Sequence, residues 1–228
     1  MIFRQLFDRE TCTYTFIVGD KESKKAVIID PVIELIDRDL RLLDQLSLSV
    51  THVLETHTHA DHITGAGRVR EKTGASICVS QQSGVKNADR YVKNGDQISI
   101  GKMNLTVLET PGHTSDSLCF LTSGMVFTGD TLFIRGCGRT DFQNGSSTTL
   151  YHSVQSQLFS LPGETLVYPG HDYKGETVST IAEEKAFNPR LSLSEKEFVE
   201  LMDNLNLPNP KKIDEAVPAN LNCGLLSA

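Results

Sequence analysis

Thr56-His57-Thr58-His59-Ala60-Asp61-His62 places four potential metal ligands within six residues, at an H-x-H-x-D-H spacing. Residues 51–56 read as a short strand that ends where the ligands begin. Residues 63–72 read as a short helix in spite of Gly65 and Gly67. On an extended segment, residues two apart point to the same side, so His57 and His59 can converge on one point. Asp61 and His62 then sit at a turn or helix start and face the same cavity from below. Imidazole and carboxylate are ligands for zinc, iron or manganese. Three of the seven histidines fall in this one stretch, which argues against a solvated loop that merely happens to be rich in histidine.

Outward from the cluster, the chain alternates batches of strands with helices. Residues 12–18 and 26–29 read as strands, the second apolar throughout and so buried on both faces. Ile36, Leu40, Leu43 and Leu46 mark one face of a helix over 36–46. A strand at 75–79 precedes a polar loop over 80–96. Hairpins follow at 98–100 with 104–109 and at 118–122 with 125–128. Residues 147–160 carry Leu150, Val154 and Leu158 at helical spacing, and 166–168 is a further strand. Residues 176–187 and 194–205 read as helices, the second opening with a capping box of Ser194 and Glu197. This order suits an α/β fold of two mixed sheets face to face with helices outside. It also suits a single domain over 1–228 with a short helical or loop extension from about 190.

Three other stretches place a ligand-capable residue just after a strand. They are Pro111-Gly112-His113, Thr128-Gly129-Asp130 and Pro169-Gly170-His171. In each, glycine precedes the ligand and permits a sharp turn that aims the next side chain into a cavity at the strand ends. His52, within a strand, and His152, within a helix, read as packing or surface residues.

Composition narrows the function classes. Hydrophobic content of 39% with 22% charged residues is that of a soluble globular protein. A net charge of −7 argues against a nucleic-acid partner, and no apolar run approaches the length of a membrane span. Five scattered cysteines without a C-x-x-C pair argue for a reducing compartment. With no signal peptide in the opening residues, the expectation is a cytoplasmic protein with no membrane partner.

The H-x-H-x-D-H cluster and the three glycine turns resemble the metallo-β-lactamase superfamily, which implies an αββα sandwich. By the pattern of its two-metal hydrolases, His57, His59 and His113 bind one ion. Asp61, His62 and His171 bind the other, with Asp130 bridging. Ligand counting alone therefore suggests a two-zinc hydrolase such as glyoxalase II, which cleaves S-lactoylglutathione. The rest of the chain instead resembles the persulfide (sulfur) dioxygenases. The runs that carry this likeness are 134–143 (Ile-Arg-Gly-Cys-Gly-Arg-Thr-Asp-Phe-Gln), 149–154, 168–173, 204–208 and 216–220. Glyoxalase II resembles the chain through Gly136-Cys137-Gly138-Arg139 and then diverges. It also carries a longer helical C-terminal domain, and 57 residues after His171 leave little room for one.

The dioxygenase resemblance implies one Fe(II) per chain, held by His57, His113 and Asp130 as a two-histidine, one-carboxylate triad with three open positions. His59, Asp61, His62 and His171 would then orient ligands or hold water. The implied reaction takes glutathione persulfide, O₂ and water to sulfite and glutathione, in a homodimer. Arg139 is the residue expected to grip a glutathione carboxylate, and Tyr173 the one expected to hydrogen-bond its peptide. An ion pair of Arg139 with Asp141 is the structural alternative.

Overall fold

Continuous apolar runs in the first hundred residues become buried strands, and the polar segments between them become crossovers. The computed structural model describes residues 1–225; the expected domain's last three lie outside them. Contacts group 1–92, 97–105 and the segment from Asn209 onward into one compact unit, and 93–96 with 106–208 into another.

The first sheet holds β1 (Ile2–Phe7), β2 (Tyr14–Gly19), β3 (Lys25–Ile29), β4 (Ser49–Leu54), β5 (Ser76–Ser80) and β6 (Arg90–Val92), in that spatial order. β1 to β3 are antiparallel and β3 to β6 parallel. Parallel neighbours need long connections. A 3₁₀ turn (Ile33–Leu35) with α1 (Ile36–Gln45) supplies one, and α2 (Ala66–Thr73) the next. Ile17, Ile28, Val53 and Ile77 from the strands pack with Ile36, Leu43 and Val69 from these connections.

The second sheet runs β12-β11-β10-β9-β8-β7. It comprises β7 (Gln97–Ile100), β8 (Met103–Glu109), β9 (Leu118–Thr122), β10 (Met125–Gly129), β11 (Leu166–Pro169) and β12 (Ser179–Thr180). The parallel step from β10 to β11 is bridged by α3 (Ser147–Ser153) and a π-helical turn (Val154–Leu158). Leu150, Val154 and Leu158 pack with Val126, Val167, Ile181 and Phe198. α4 (Ile181–Phe187) and α5 (Glu195–Asp203) follow, and the capping box of Ser194 with Glu197 is formed. α6 (Ile213–Asn220) groups with the first unit.

Several boundaries differ from the sequence reading. β4 ends at Leu54 and α2 begins only at Ala66, so the clustered ligands sit on an irregular loop rather than on a strand. Backbone competition accounts for this. Ile33 N donates to Ile63 O at 3.0 Å, Gly65 N donates to Pro31 O at 2.6 Å, and Val32 bridges Thr64. Those bonds tie 63–65 to 31–33 and withhold them from a helix. Residues 176–180 are likewise not helical. The Asp172 carboxylate accepts from the amides of Lys174, Gly175 and Glu176, and Thr180 pairs with Leu166 before capping α4. β1, β6 and α6 were not anticipated. α6 is masked in the sequence by Pro218 inside its last turn. No helix among the described residues is long and apolar enough to cross a membrane.

Candidate metal centre

In the first unit, β4 delivers the chain into the loop that carries His57, His59, Asp61 and His62. His57, His59 and His62 are buried, and their rings form a tilted stack, with centroids 4.1 Å apart between His57 and His59 and 4.3 Å between His59 and His62. Asp30, at the end of β3, organises one side of this stack. Its Oδ1 accepts from Thr56 N at 2.7 Å and its Oδ2 accepts from Thr56 Oγ1 at 2.8 Å. The single hydroxyl proton of Thr56 is thereby committed. At its 3.0 Å contact with His57 Nδ1, Thr56 Oγ1 must accept, which places the proton on Nδ1 and the lone pair on Nε2.

His59 lies between two buried carboxylates, its Nε2 3.2 Å from Asp30 and 3.4 Å from Glu55, although neither contact has hydrogen-bond geometry. Burial favours the neutral ring, but the charge and polarity of Asp30 and Glu55 outweigh it and hold the His59 pKa well above the ordinary histidine value. Burial also raises the Glu55 pKa. His62 Nδ1 donates to Asp61 Oδ2 at 2.9 Å, which leaves its buried Nε2 without a hydrogen-bond partner. Ligand atoms of His59, Asp61 and His62 lie within 4.8 Å of one another.

The second unit arranges its residues by the same logic. His113 Nδ1 donates to the carbonyl of Arg139 at 2.6 Å, so its Nε2 carries the lone pair, 3.6 Å from Asp130 Oδ2. His171 Nδ1 donates to Asp130 Oδ1 at 2.7 Å. Two of the three glycine turns have the expected backbone, with φ of +143° at Gly112 and +49° at Gly129. Gly170 is there for space instead, since a Cβ would come 2.9 Å from Asp130 Oδ1. Gly138 is tighter still: a Cβ would fall 2.4 Å from Asp130 O and 2.8 Å from His113 Nδ1.

Arg139 takes up the structural alternative. Nε and Nη2 grip Asp141 at 2.6 and 2.7 Å, Nη1 donates to Pro208 O at 2.6 Å, and Nη2 also reaches Leu207 O at 3.2 Å. The guanidinium also lies over the Phe142 ring, 4.4 Å from its centroid. Tyr173 is 68% exposed, with its ring parallel to His171 at 6.0 Å and edge-on to Phe133 at 6.5 Å. His52 is a strand residue in β4, and His152 pairs with Glu195 at the surface at 3.1 Å. Cys78, Cys119, Cys137 and Cys223 are buried; burial pushes the thiols of Cys137 and Cys223 up to about 11 and that of Cys78 to about 12. Thr56, Asp30, Glu55 and Asn220 escaped the sequence reading. Asp30, in the strand-ending Asp30-Pro31, and Thr56, adjacent to the first ligand, carried a local signal, and Asn220 closed the 216–220 run that resembles the dioxygenases without any sign of its bonds.

A model of the metallo-β-lactamase superfamily matches residues 8–171. The mitochondrial persulfide dioxygenase ETHE1 of Bos taurus is 50% identical over 99% of this chain and 89% of its own length. This chain belongs to the persulfide dioxygenase family of that superfamily. The crystal structure of ETHE1 from Myxococcus xanthus superposes with a TM-score of 0.97 at 55% identity, covering 99% of this chain and all of the other. The two six-stranded sheets with their helices are thus the metallo-β-lactamase fold. A hydroxyacylglutathione hydrolase of Polaromonas is more distant, 37% identical over 70% of this chain and 62% of its own length. A fold of this family and a cluster of buried imidazoles and carboxylates together make the protein a metal-binding one.

Proposed function

We propose that the protein oxidises glutathione persulfide with O₂ and water to glutathione and sulfite at one Fe(II) per chain, working as a homodimer. The observation that carries this reading is 50% identity to a persulfide dioxygenase along 99% of the chain, whereas the likeness to a hydroxyacylglutathione hydrolase is 37% along 70%. His57, His113 and Asp130 are the assigned ligands. Two features support that set: His57 and His113 each have the Nδ1 proton fixed by a neighbouring oxygen, and Asp130 has one oxygen held by His171. Such support is what ligating imidazoles require. A two-histidine, one-carboxylate set suits Fe(II) and leaves room for further ligands.

Held by His57, His113 and Asp130, an Fe(II) ion would supply the redox chemistry and the proximity between the persulfide sulfur and O₂ that the reaction needs. The chain's own residues prepare that event. Asp30 and Thr56 lock the His57 tautomer, and the Arg139 carbonyl locks that of His113. His171 donates to Asp130 Oδ1 and leaves Oδ2 on the side of the His113 ring, 3.6 Å from its Nε2. His59, Asp61 and His62 orient the loop and hold water. Tyr173, exposed beside His171, hydrogen-bonds the glutathione peptide. Arg139 can grip a glutathione carboxylate only by releasing Asp141 or the 207–208 carbonyls. In balance, the outer sulfur gains both atoms of O₂ and one water oxygen, the S–S bond breaks, and the inner sulfur leaves as glutathione thiol. No side-chain nucleophile takes part.

The test is oxygen uptake by iron-loaded protein given glutathione persulfide, with sulfite assayed in parallel. Equal amounts of O₂ consumed and sulfite formed, lost in Asp130→Ala, are expected. Absence of uptake together with anaerobic hydrolysis of S-lactoylglutathione would transfer the protein to the hydrolases.

A further inference from the structure

The loop from Glu55 to Gly65 has no strand or helix of its own, yet His57, His59 and His62 on it are buried. Buried backbone groups on such a loop must find partners elsewhere. Among the described residues, a single side chain meets three of them. Asn220, at the end of α6 and 4% exposed, donates through Nδ2 to His59 O at 2.9 Å and to His62 O at 2.8 Å. Its Oδ1 accepts from Thr64 N at 2.8 Å. The bonds continue inward: Thr64 Oγ1 donates to Glu55 Oε1 at 2.6 Å, and the other oxygen of Glu55 faces His59. One amide therefore fixes the backbone of the loop on both sides of Asp61 and, through Thr64, the Glu55 carboxylate that lies 3.4 Å from the His59 ring.

The turn after α6 is built to hold that amide in place. Cys223 O accepts from Gly67 N at 2.9 Å, Leu221 O accepts from Lys86 N at 2.7 Å, and Cys223 Sγ reaches Lys86 O at 3.3 Å. Gly224 has φ +73°, and a Cβ on it would meet Thr64 O at 2.0 Å.

We infer that Asn220 is a positioning residue for metal binding, which makes the carboxy-terminal helix a structural part of the ligand loop. Asn220 touches no substrate and, by this inference, sets how long the loop keeps its metal. This inference rests on the metal-binding reading above, and its test is read on the metal rather than on turnover.

Iron-loaded wild type, Asn220→Leu and Asn220→Asp are mixed with excess chelator and iron release is followed, with melting temperatures of the apo and loaded forms measured alongside. Release from Asn220→Leu is expected to be at least about tenfold faster, the size of effect seen when groups supporting metal ligands are removed. Loading should raise its melting temperature less than it raises that of the wild type. Asn220→Asp keeps an acceptor for Thr64 N but loses both donors, so it should resemble Asn220→Leu. Equal falls in apo and loaded melting temperature, with wild-type release from the folded protein, would reduce Asn220 to ordinary packing and overturn the inference. If neither variant folds, hydrogen exchange of the Thr64 amide in the wild type decides: slower exchange on metal loading supports the role, and unchanged exchange overturns it. A wild type that retains zinc and consumes no oxygen would end the dioxygenase reading while zinc release still decides on Asn220. A wild type that binds neither metal overturns both.

Discussion

Each histidine assigned to the iron has its rear nitrogen held by an oxygen, and those oxygens are the residue-scale controls of the site. Thr56→Val removes the hydroxyl between Asp30 and His57 at nearly constant volume. Metal affinity should fall by about 10–100-fold, measured by chelator competition, with the fold intact by circular dichroism. Gly138→Ala acts by crowding. Its Cβ would press on the Asp130 carbonyl and the His113 ring, so metal content and activity should both collapse. Stability should drop by about 1–3 kcal/mol, the usual cost of overpacking. Arg139→Ala separates two roles. If its guanidinium binds glutathione, KM rises at constant metal content. If it only braces the wall through Asp141 and Pro208, metal content and thermal stability fall while KM holds. The bracing outcome is the one expected, because the geometry already satisfies most of its donors.

At the scale of elements, α1 carries a buried carboxylate away from the metal ligands. Asp39 is fully buried, with one oxygen on Arg38 Nε at 2.8 Å and the other without a partner. Burial outweighs Arg38 and raises its pKa to about 6. A carboxyl raised above its unfolded value binds its proton more tightly in the folded state. That contribution is fully present below about pH 4 and is lost as pH rises through about 6. Asp39→Asn should therefore match the wild type near pH 4 and exceed it at pH 7–8, by up to about 2–3 kcal/mol in urea denaturation. Sequence periodicity exposed most elements, since β2 to β5, both hairpins and α5 depend on local patterns of apolar residues and caps. It failed where a distant segment decided the outcome. β6 exists because Arg90 and Val92 find β5, and the ligand loop stays irregular because residues 31–33 capture 63–65. The four ligand-type residues of the H-x-H-x-D-H stretch were legible because dense clustering is itself a signal, and His113, Asp130 and His171 because each follows a glycine after a strand. Asn220 was not, because an asparagine in a helix carries no mark of bonds to residues 158 and 161 positions earlier.

For the whole molecule, an enzyme of sulfur chemistry must keep its own sulfur out of the reaction. Cys78, Cys119, Cys137 and Cys223 are buried, and burial raises the thiols of Cys78, Cys137 and Cys223 to about 11 or 12, so these three hold little thiolate near neutral pH. A disulfide reagent should accordingly label Cys12, which is partly exposed, and reach the other four only on unfolding. Prompt labelling of two or more thiols in the native protein would contradict this. The reach of Asn220 also bears on how the protein is made. A ribosome that has just added His62 has produced every ligand-type residue of the H-x-H-x-D-H cluster, yet the amide that braces their loop lies 158 residues further along the message. The nascent chain must therefore carry its histidines unbraced through most of translation, and a transcript truncated before α6 would yield a polypeptide with a complete ligand set and a poor hold on metal.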